Sequence, residues 1–290
     1  MNKLTRTLSA IFAVSALSVP ANASDSIHIS PAAAVSAQSI GESIEVWFDG
    51  ALVCPGQTLL IASSTYLPLR AFCRGLGIED ITWDAATLTA TVYADGLTLK
   101  ATAGSAWIEA NGRAFHAPDS VRIVNGVMMV PVRPLARAFG LEVHWDENSR
   151  SVTLVGSGTT YPASASTVYS ESDLYWLSRI IAAESWGEPL SGQLAVGNVV
   201  LNRVASPEFP NTIYEVIFDT QYAIQFTPVA NGTIYNEPDA ASIAAAKLTL
   251  EGYTLSTSIL YFLNPALSTS FWVPQNRTYQ FTIGTHDFYA

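Results

Sequence analysis

The half of this chain from Glu171 to Ala290 has few residues able to do covalent chemistry, and that scarcity narrows the choice. It contains no cysteine, which excludes a thiol nucleophile, and His286 is its one histidine, which excludes a zinc site built on two or three imidazoles. It has no G-x-S-x-G elbow, P-loop or G-x-G-x-x-G, so a Ser-His-Asp triad would have to assemble around His286. Carboxylates remain. Their natural work is acid-base chemistry on glycosidic bonds.

One carboxylate stands out. Ser170 and Asp173 form a capping box that opens a helix through "LYWLSRIIAAE". At 100° per residue, Leu174, Leu177, Ile181 and Glu184 fall within an arc of about 80°, so Glu184 belongs to the buried stripe. Gly187 and Pro189 end the helix just after it. Apolar surroundings and the helix C-terminus both disfavour the anion and raise the carboxyl pKa, as a general acid needs. Helix geometry alone leaves two readings open: a catalytic acid, or a structural residue that caps or pairs with Arg179 or Arg203.

Other polar groups gather around it in sequence. "SGQLAVGNVVLNRV" is a helix with little polar surface, on which Gln193, Asn198 and Asn202 are either clamps or contacts to saccharide hydroxyls. Thr212 with Glu215 forms another capping box, which accounts for Glu215 structurally. "IQFTPVANGT" reads as a non-helical loop offering Gln225, Phe226 and Thr227. Asp239 and Gly252 bound a plain structural helix, and Asn264, Trp272 and His286 lie in the closing segments. A hydrolytic mechanism would want a second acid, for which Glu188 is the nearest candidate, although a sugar-binding role suits it better.

The elements before this half are a duplication. "PGQTLLIASSTYLPLRAFCRGLGIEDITWDAATLTATV", from Pro55, reads against "PDSVRIVNGVMMVPVRPLARAFGLEVHWDENSRSVTL", from Pro118. Pro68 stands with Pro131, Arg70 with Arg133, Gly77 with Gly140 and Trp83-Asp84 with Trp145-Asp146. Each copy is a strand, a short proline-opened helix, a glycine stop and a final strand, giving an α+β module over 42–155 with repeats at about 55–92 and 118–154. Cys54 and Cys73 have Ala117 and Ala136 as counterparts, and their joint loss points to a disulfide, stabilising by roughly 3 kcal/mol in the chain-entropy model, with two buried free thiols as the alternative. Residues 156–170, rich in Gly, Ser, Thr and Pro, read as a flexible linker.

Export is expected from the first residues: Lys3 and Arg6, the apolar "LSAIFAVSAL" and a small-residue site ending at Ala23 make a signal peptide over 1–23. Removing Lys3 and Arg6 leaves 12 basic residues against 24 acidic ones, a net charge of −12. That charge, with no basic run, argues against nucleic acid, and no later segment is long and apolar enough to make the mature chain a membrane protein. Hydrophobic residues at 49% are ample for packed cores.

"AAESWGEPLSGQLAVGNVVLNRVASPEFPNTIYEVIF", "QFTPVANGTI", "YFLNP" and "IGTHDFY" together resemble the SleB-type cell-wall hydrolases, over about 174–289 and hence a domain of 171–290. That resemblance implies a mainly α (α+β) lysozyme/lytic-transglycosylase-like fold and cleavage of peptidoglycan glycan strands between N-acetylmuramic acid and N-acetylglucosamine. It puts the catalytic acid on Glu184, the first Glu of E-x-x-G-E. The family's usual E-A-R-G-E is "ESWGE" here, so Trp186 stands where an arginine is usual and is suited to stacking on a sugar. The usual "FYNP" is "FLNP", with Leu263 lacking a hydroxyl. Substrate contacts are expected from Glu188, Trp186, Gln193, Asn198, Gln225, Phe226, Thr227, Asn264, Trp272 and His286. No cofactor or metal is implied. The protein is expected outside the cytoplasm, on the vegetative wall or the spore cortex, with an accessory protein left open. An amidase and a non-catalytic wall or spore-coat binder are the rival readings.

The duplicated module resembles the copper amine oxidase N-terminal-like stalk domain. It implies no copper, because His116 and His144 belong to no ligand-spaced cluster.

Overall fold

The computed structural model describes residues 42–221, 225–269 and 271–290; the expected signal peptide lies outside them. Contacts divide the described chain into two units that meet at residues 168 and 169. Among the described residues no helix is long and apolar enough to cross a membrane.

The N-terminal unit opens with β1 (Glu45–Phe48) and β2 (Ala51–Leu52). The first repeat supplies β3 (Leu59–Ile61), β4 (Ser64–Pro68), α1 (Leu69–Gly75), β5 (Ile81–Asp84) and β6 (Thr89–Ala94). Strands β7 (Leu97–Thr102), β8 (Trp107–Ala110) and β9 (Arg113–His116) intervene. The second repeat supplies β10 (Arg122–Val124), β11 (Val127–Pro131), α2 (Val132–Ala138), β12 (Glu142–Asp146) and β13 (Ser151–Val155). Among its described residues the unit is β-rich, with two seven-residue α-helices. The repeats meet in one sheet, ordered β10-β11-β4-β3, where Leu67 lies opposite Val130 and Pro68 opposite Met129. Their closing hairpins part company: β5–β6 extends a five-stranded sheet, while β12–β13 pairs with β1.

Two expectations fail here. Cys54 and Cys73 are free and buried, so the disulfide is not formed. Both thiols sit in the apolar core cluster, where burial pushes Cys54 up to about 11 and Cys73 to about 12. They pack as small neutral side chains, and their counterparts Ala117 and Ala136 are buried at the equivalent positions. The stretch read as a linker is largely docked. Tyr161 packs edge-on against Phe139, Asn111 Nδ2 donates to the Pro162 carbonyl at 2.8 Å, and Ala165–Thr167 forms a 3-10 turn. Gly140 allows this, since a Cβ there would lie 2.0 Å from the Thr160 carbonyl oxygen.

The C-terminal unit is mainly helical: α3 (Glu171–Ser185), α4 (Leu190–Ala205), α5 (Ile213–Ile217), α6 (Thr227–Asn231), α7 (Ala240–Leu250) and α8 (Trp272–Asn276). Strands β14 (Tyr261–Leu263), β15 (Tyr279–Ile283) and β16 (His286–Tyr289) form an antiparallel sheet ordered β14-β16-β15. The expected caps are all present. Ser170 Oγ accepts from Asp173 N, Thr212 Oγ1 from Glu215 N, and Asp239 Oδ1 from Ser242 N. Gly197 is the close approach at the centre: a Cβ there would meet Thr249 Oγ1 on α7 at 2.7 Å and Ile181 Cδ1 on α3 at 3.0 Å. The stretch read as a non-helical loop holds α6. Pro228 fits the first helical turn, where its missing N–H removes a donor with no intrahelical partner, and Gly232 ends the helix at φ +82°.

Candidate active site

Glu184 lies in the last turn of α3, one turn beyond the fully buried Ile181. The side chain is partly exposed, yet burial raises its carboxyl pKa to about 7, with Arg203 pulling the other way. Together these describe a carboxyl crowded by protein and still reached by solvent. No hydrogen bond or ion pair to it occurs among the described residues. The ion-pair alternatives are taken up elsewhere: Arg179 pairs with Glu237 at 2.5 Å, and Arg203 Nε donates to the Leu260 carbonyl at 2.8 Å. A group so placed can hold a proton near neutral pH and give it up in one step.

Glu188, four residues on, is a different kind of acid. Gly187, at φ +83°, turns the chain so that the Glu188 side chain points inward, leaving it 8% exposed. Its Oε1 accepts from Thr285 Oγ1 at 2.5 Å, and both oxygens face Thr285 N at 3.2 Å. A Cβ on Gly284 would fall 1.6 Å from Glu188 Oε2, so only glycine fits that turn, which also sits at φ +57°. Glu188 therefore ties the α3–α4 turn to the β15–β16 hairpin.

Three more of the expected contacts are buried among protein groups. Gln193 is buried, its Nε2 donating to the Glu188 carbonyl and its Oε1 accepting from Ser242 Oγ. Asn198 is buried between the Tyr253 carbonyl and Leu255 N. His286 is buried 3.5 Å from Glu188 Oε1, an electrostatic approach too poorly aimed for a hydrogen bond, and burial holds it below the usual imidazole range despite Glu188 and Asp287. The two amides are satisfied, as a buried amide without a partner is expensive, whereas the buried His286 Nδ1 has no hydrogen-bond partner among the described residues.

The remaining expected contacts divide by exposure. Phe226 is buried, 2% exposed, and packs against the Arg203 guanidinium, so it lines the interior. Trp186 is 78% exposed beside Glu184 and free to stack. Thr227 is exposed at the start of α6, and Gln225 is half-buried before it. Asn264 caps a turn through Ala266 N and donates to Thr285 Oγ1 at 3.1 Å. Trp272 is half-buried, edge-on to Tyr261 with Arg277 over its ring. Sequence reasoning missed Gly284 and Thr285, whose role depends on a partner 97 residues away. It weighed Arg203 only as an ion-pair partner.

Residues 187–289 match the family model described as Cell Wall Hydrolase, and residues 48–154 the one described as Copper amine oxidase N-terminal domain. Over 123 residues the chain is 39% identical to a spore cortex-lytic enzyme of Bacillus cereus and 38% identical to one of Bacillus subtilis. The chain carries a SleB-like cell-wall hydrolase domain in its C-terminal part and a copper amine oxidase N-terminal domain before it. The match takes in 41% of this chain and spans 45% and 38% of those two relatives, under half of either. Similar solved structures are the catalytic domain of the germination-specific lytic transglycosylase SleB from Bacillus anthracis and that of the Bacillus cereus SleB protein. Each is 38% identical and covers 42% of this chain; they are matched over 97% and 92% of their own lengths, with TM-scores of 0.39 and 0.38. The matched family stretch begins at Gly187, three residues after Glu184, so the role of Glu184 rests on its own geometry.

The other family's description mentions copper, and the residues here do not fit it. Among the described residues no three His, Cys, Asp or Glu side chains converge. His116 and His144 lie on β9 and β12, in different sheets.

Proposed function

We propose that the C-terminal unit is an extracytoplasmic peptidoglycan-lytic enzyme, cleaving between N-acetylmuramic acid and N-acetylglucosamine as a lytic transglycosylase with Glu184 as its one catalytic carboxyl. The observation that carries this reading is the Glu184 carboxyl itself: partly exposed, without a hydrogen-bond or ion-pair partner among the described residues, and raised by burial to a pKa of about 7. Glu184 gives its proton to the bridging O4 as the C1–O4 bond breaks, leaving an oxocarbenium-like sugar. The carboxylate then takes the proton from the muramic acid C6 hydroxyl, whose oxygen closes on C1 to give the 1,6-anhydro product. One carboxyl suffices. Glu188, the acid a hydrolytic route would recruit, is already held by Thr285, which favours the transglycosylase route over hydrolysis.

A Glu at the C-terminal end of a helix, over a helical core with a small antiparallel sheet, supports a lysozyme- or lytic-transglycosylase-like arrangement over 171–290. The names of the relatives point to spore cortex as substrate. The module over 42–155, whose matched residues supply no reactive cluster, serves as a stalk or wall-docking domain, with export by the leader over 1–23. Mass spectrometry of digested sacculi tests the whole reading. Anhydro-muropeptides released by the wild type and not by Glu184→Gln are expected. Reducing ends would convert the reading to hydrolysis, free stem peptides to amide cleavage, and no release to a binder.

A further inference from the structure

The N-terminal half of α3 carries an aromatic surface. Trp176 stands at the centre of four other rings, those of Tyr175, Phe218, Tyr214 and Tyr235, with centroids 4.8, 5.0, 5.5 and 6.1 Å away. The rings come from three segments: α3, α5 with the Phe218 that ends it, and the 3-10 turn Thr233–Tyr235. Removing ring area from water is what drives aromatic side chains inward. Here Trp176 and Phe218 are only half-buried, and Tyr175, Tyr214 and Tyr235 are 43%, 50% and 60% exposed. Single exposed rings are ordinary; five adjoining ones drawn from three segments make a patch.

The patch runs into a groove of about 710 Å³. Tyr214 and Phe218, 4.6 Å apart and tilted by 31°, line it together with Phe209. Asn211, Glu215 and Asp219 supply its polar groups. The hydroxyls of Tyr175, Tyr214 and Tyr235 and the Asn211 amide have no hydrogen-bond partner among the described residues.

That chemistry selects the occupant. A sugar ring presents C–H bonds on its faces and hydroxyls at its edge, so it stacks on aromatic rings and hydrogen-bonds to polar groups beside them. No lysine or arginine lines the groove, and Glu215 and Asp219 repel an anionic polymer. Arg179 lies 3.7 Å over the Tyr175 ring but is paired with Glu237 at 2.5 Å. An apolar helix or a second copy seated here would bury those carboxylates and hydroxyls unmatched. Trp176 and Glu184 are eight residues apart on α3, about 12 Å along its axis and about 80° around it, which a single glycan strand can span.

We propose that the rings around Trp176 and the adjoining groove are a second glycan-binding site, which takes uncharged acetamido sugars of the strand away from the bond being cut. The choice of sugar rests on the glycan-lytic reading of this unit. Binding is measured in the full chain carrying Glu184→Gln, which separates it from cleavage. The probe is the peptide-free hexasaccharide of N-acetylglucosamine, followed by titration calorimetry. Adding Tyr214→Ala with Tyr235→Ala is expected to weaken binding about tenfold or more, while Tyr214→Phe with Tyr235→Phe keeps most of it.

No binding, or unchanged binding in the folded alanine pair, overturns the proposal. So does an alanine pair that keeps the hexasaccharide and loses oligolysine, which would assign the patch to a cationic partner. Should the alanine pair not fold, hydroxyl-radical footprinting of the Glu184→Gln chain decides. Protection of Tyr175, Tyr214 and Tyr235 by the hexasaccharide supports the site, and rings as reactive as in the free chain reject it. The two readings fail separately. Patch-dependent binding without cleavage by the wild type sinks the acid assignment alone, and cleavage with patch-independent binding sinks this site alone.

Discussion

The cores of the two units handle polarity in opposite ways. Among the described residues, the N-terminal unit buries only hydroxyls, those of Thr58, Thr65 and Ser151, beside two thiols that burial keeps neutral. The C-terminal unit buries two guanidiniums, Arg179 and Arg203, two amides, Gln193 and Asn198, and the His286 imidazole. A core of the first kind needs only volume and pattern. The second must place a partner against nearly every polar atom, because each unmet group costs about 1–3 kcal/mol and a charge more. That demand is tolerable where the polar groups hold or tune a reactive one. In the function proposed above Glu184 is that group, and the hydrogen bonds of Glu188, Gln193 and Asn198 tie together the elements of its unit.

The largest expected effect breaks the comparison at its centre. Glu184→Gln keeps the shape and removes the transferable proton, so turnover on sacculi should fall by at least about 10²-fold with the circular dichroism spectrum intact. Wild-type turnover in that variant would leave the polar core without its purpose. Next comes the hairpin clamp. Gly284→Ala drives a Cβ into Glu188 at a positive φ and should cost about 2–4 kcal/mol in denaturant titration of the C-terminal unit. Alanine at Gly56, also at positive φ but with open space around it, should cost less.

The third effect concerns pH. The Glu184 carboxyl sits at about 7 in the fold against an ordinary 4.5 for a glutamate in water, so the folded state binds the extra proton between those values. Stability from this group is therefore full below about pH 4.5 and is lost as pH rises towards 7. Glu184→Gln should consequently be more stable than wild type at pH 8, by roughly 1–3 kcal/mol, and show no such gain at pH 4. An equal stability difference at both pH values would contradict the buried-acid assignment. Trp186→Ala should raise KM on glycan by about 3- to 10-fold and leave stability unchanged, since that ring is 78% exposed. The smallest effect belongs to the other core: a reducing agent should leave the thermal midpoint of the N-terminal unit where it is, and intact-mass alkylation under denaturing conditions should count two free thiols.

Much of this was legible in the residues. The capping boxes at Ser170 and Thr212, the cap at Asp239 and the glycine at Gly252 are local signals, and the structure has them. The duplication needed only the chain compared with itself. The sorting of polar residues was not legible. Gln193 and Asn198 carry the same amide whether they clamp a carbonyl or meet a sugar, and the choice depends on groups more than 45 residues distant. The Cys54–Cys73 pairing failed for a related reason: coordinated loss in the second copy follows from shared core packing as readily as from a bond.

Sequence alone determined that an acid stands on the apolar stripe of a helix at its last turn, because a period of 3.6 residues fixes which side chains share a face. It also determined the two repeats and the absence of thiol or histidine-rich chemistry from the C-terminal half. Only the tertiary structure decided that Glu184 has no hydrogen-bond or ion-pair partner among the described residues while Glu188 is taken up by Thr285, and that Arg203 is buried among the rings of Phe209, Phe226 and Tyr261. Those distinctions are matters of distance and desolvation, set by segments far apart in the chain meeting in one small volume, and no local pattern of residues encodes them.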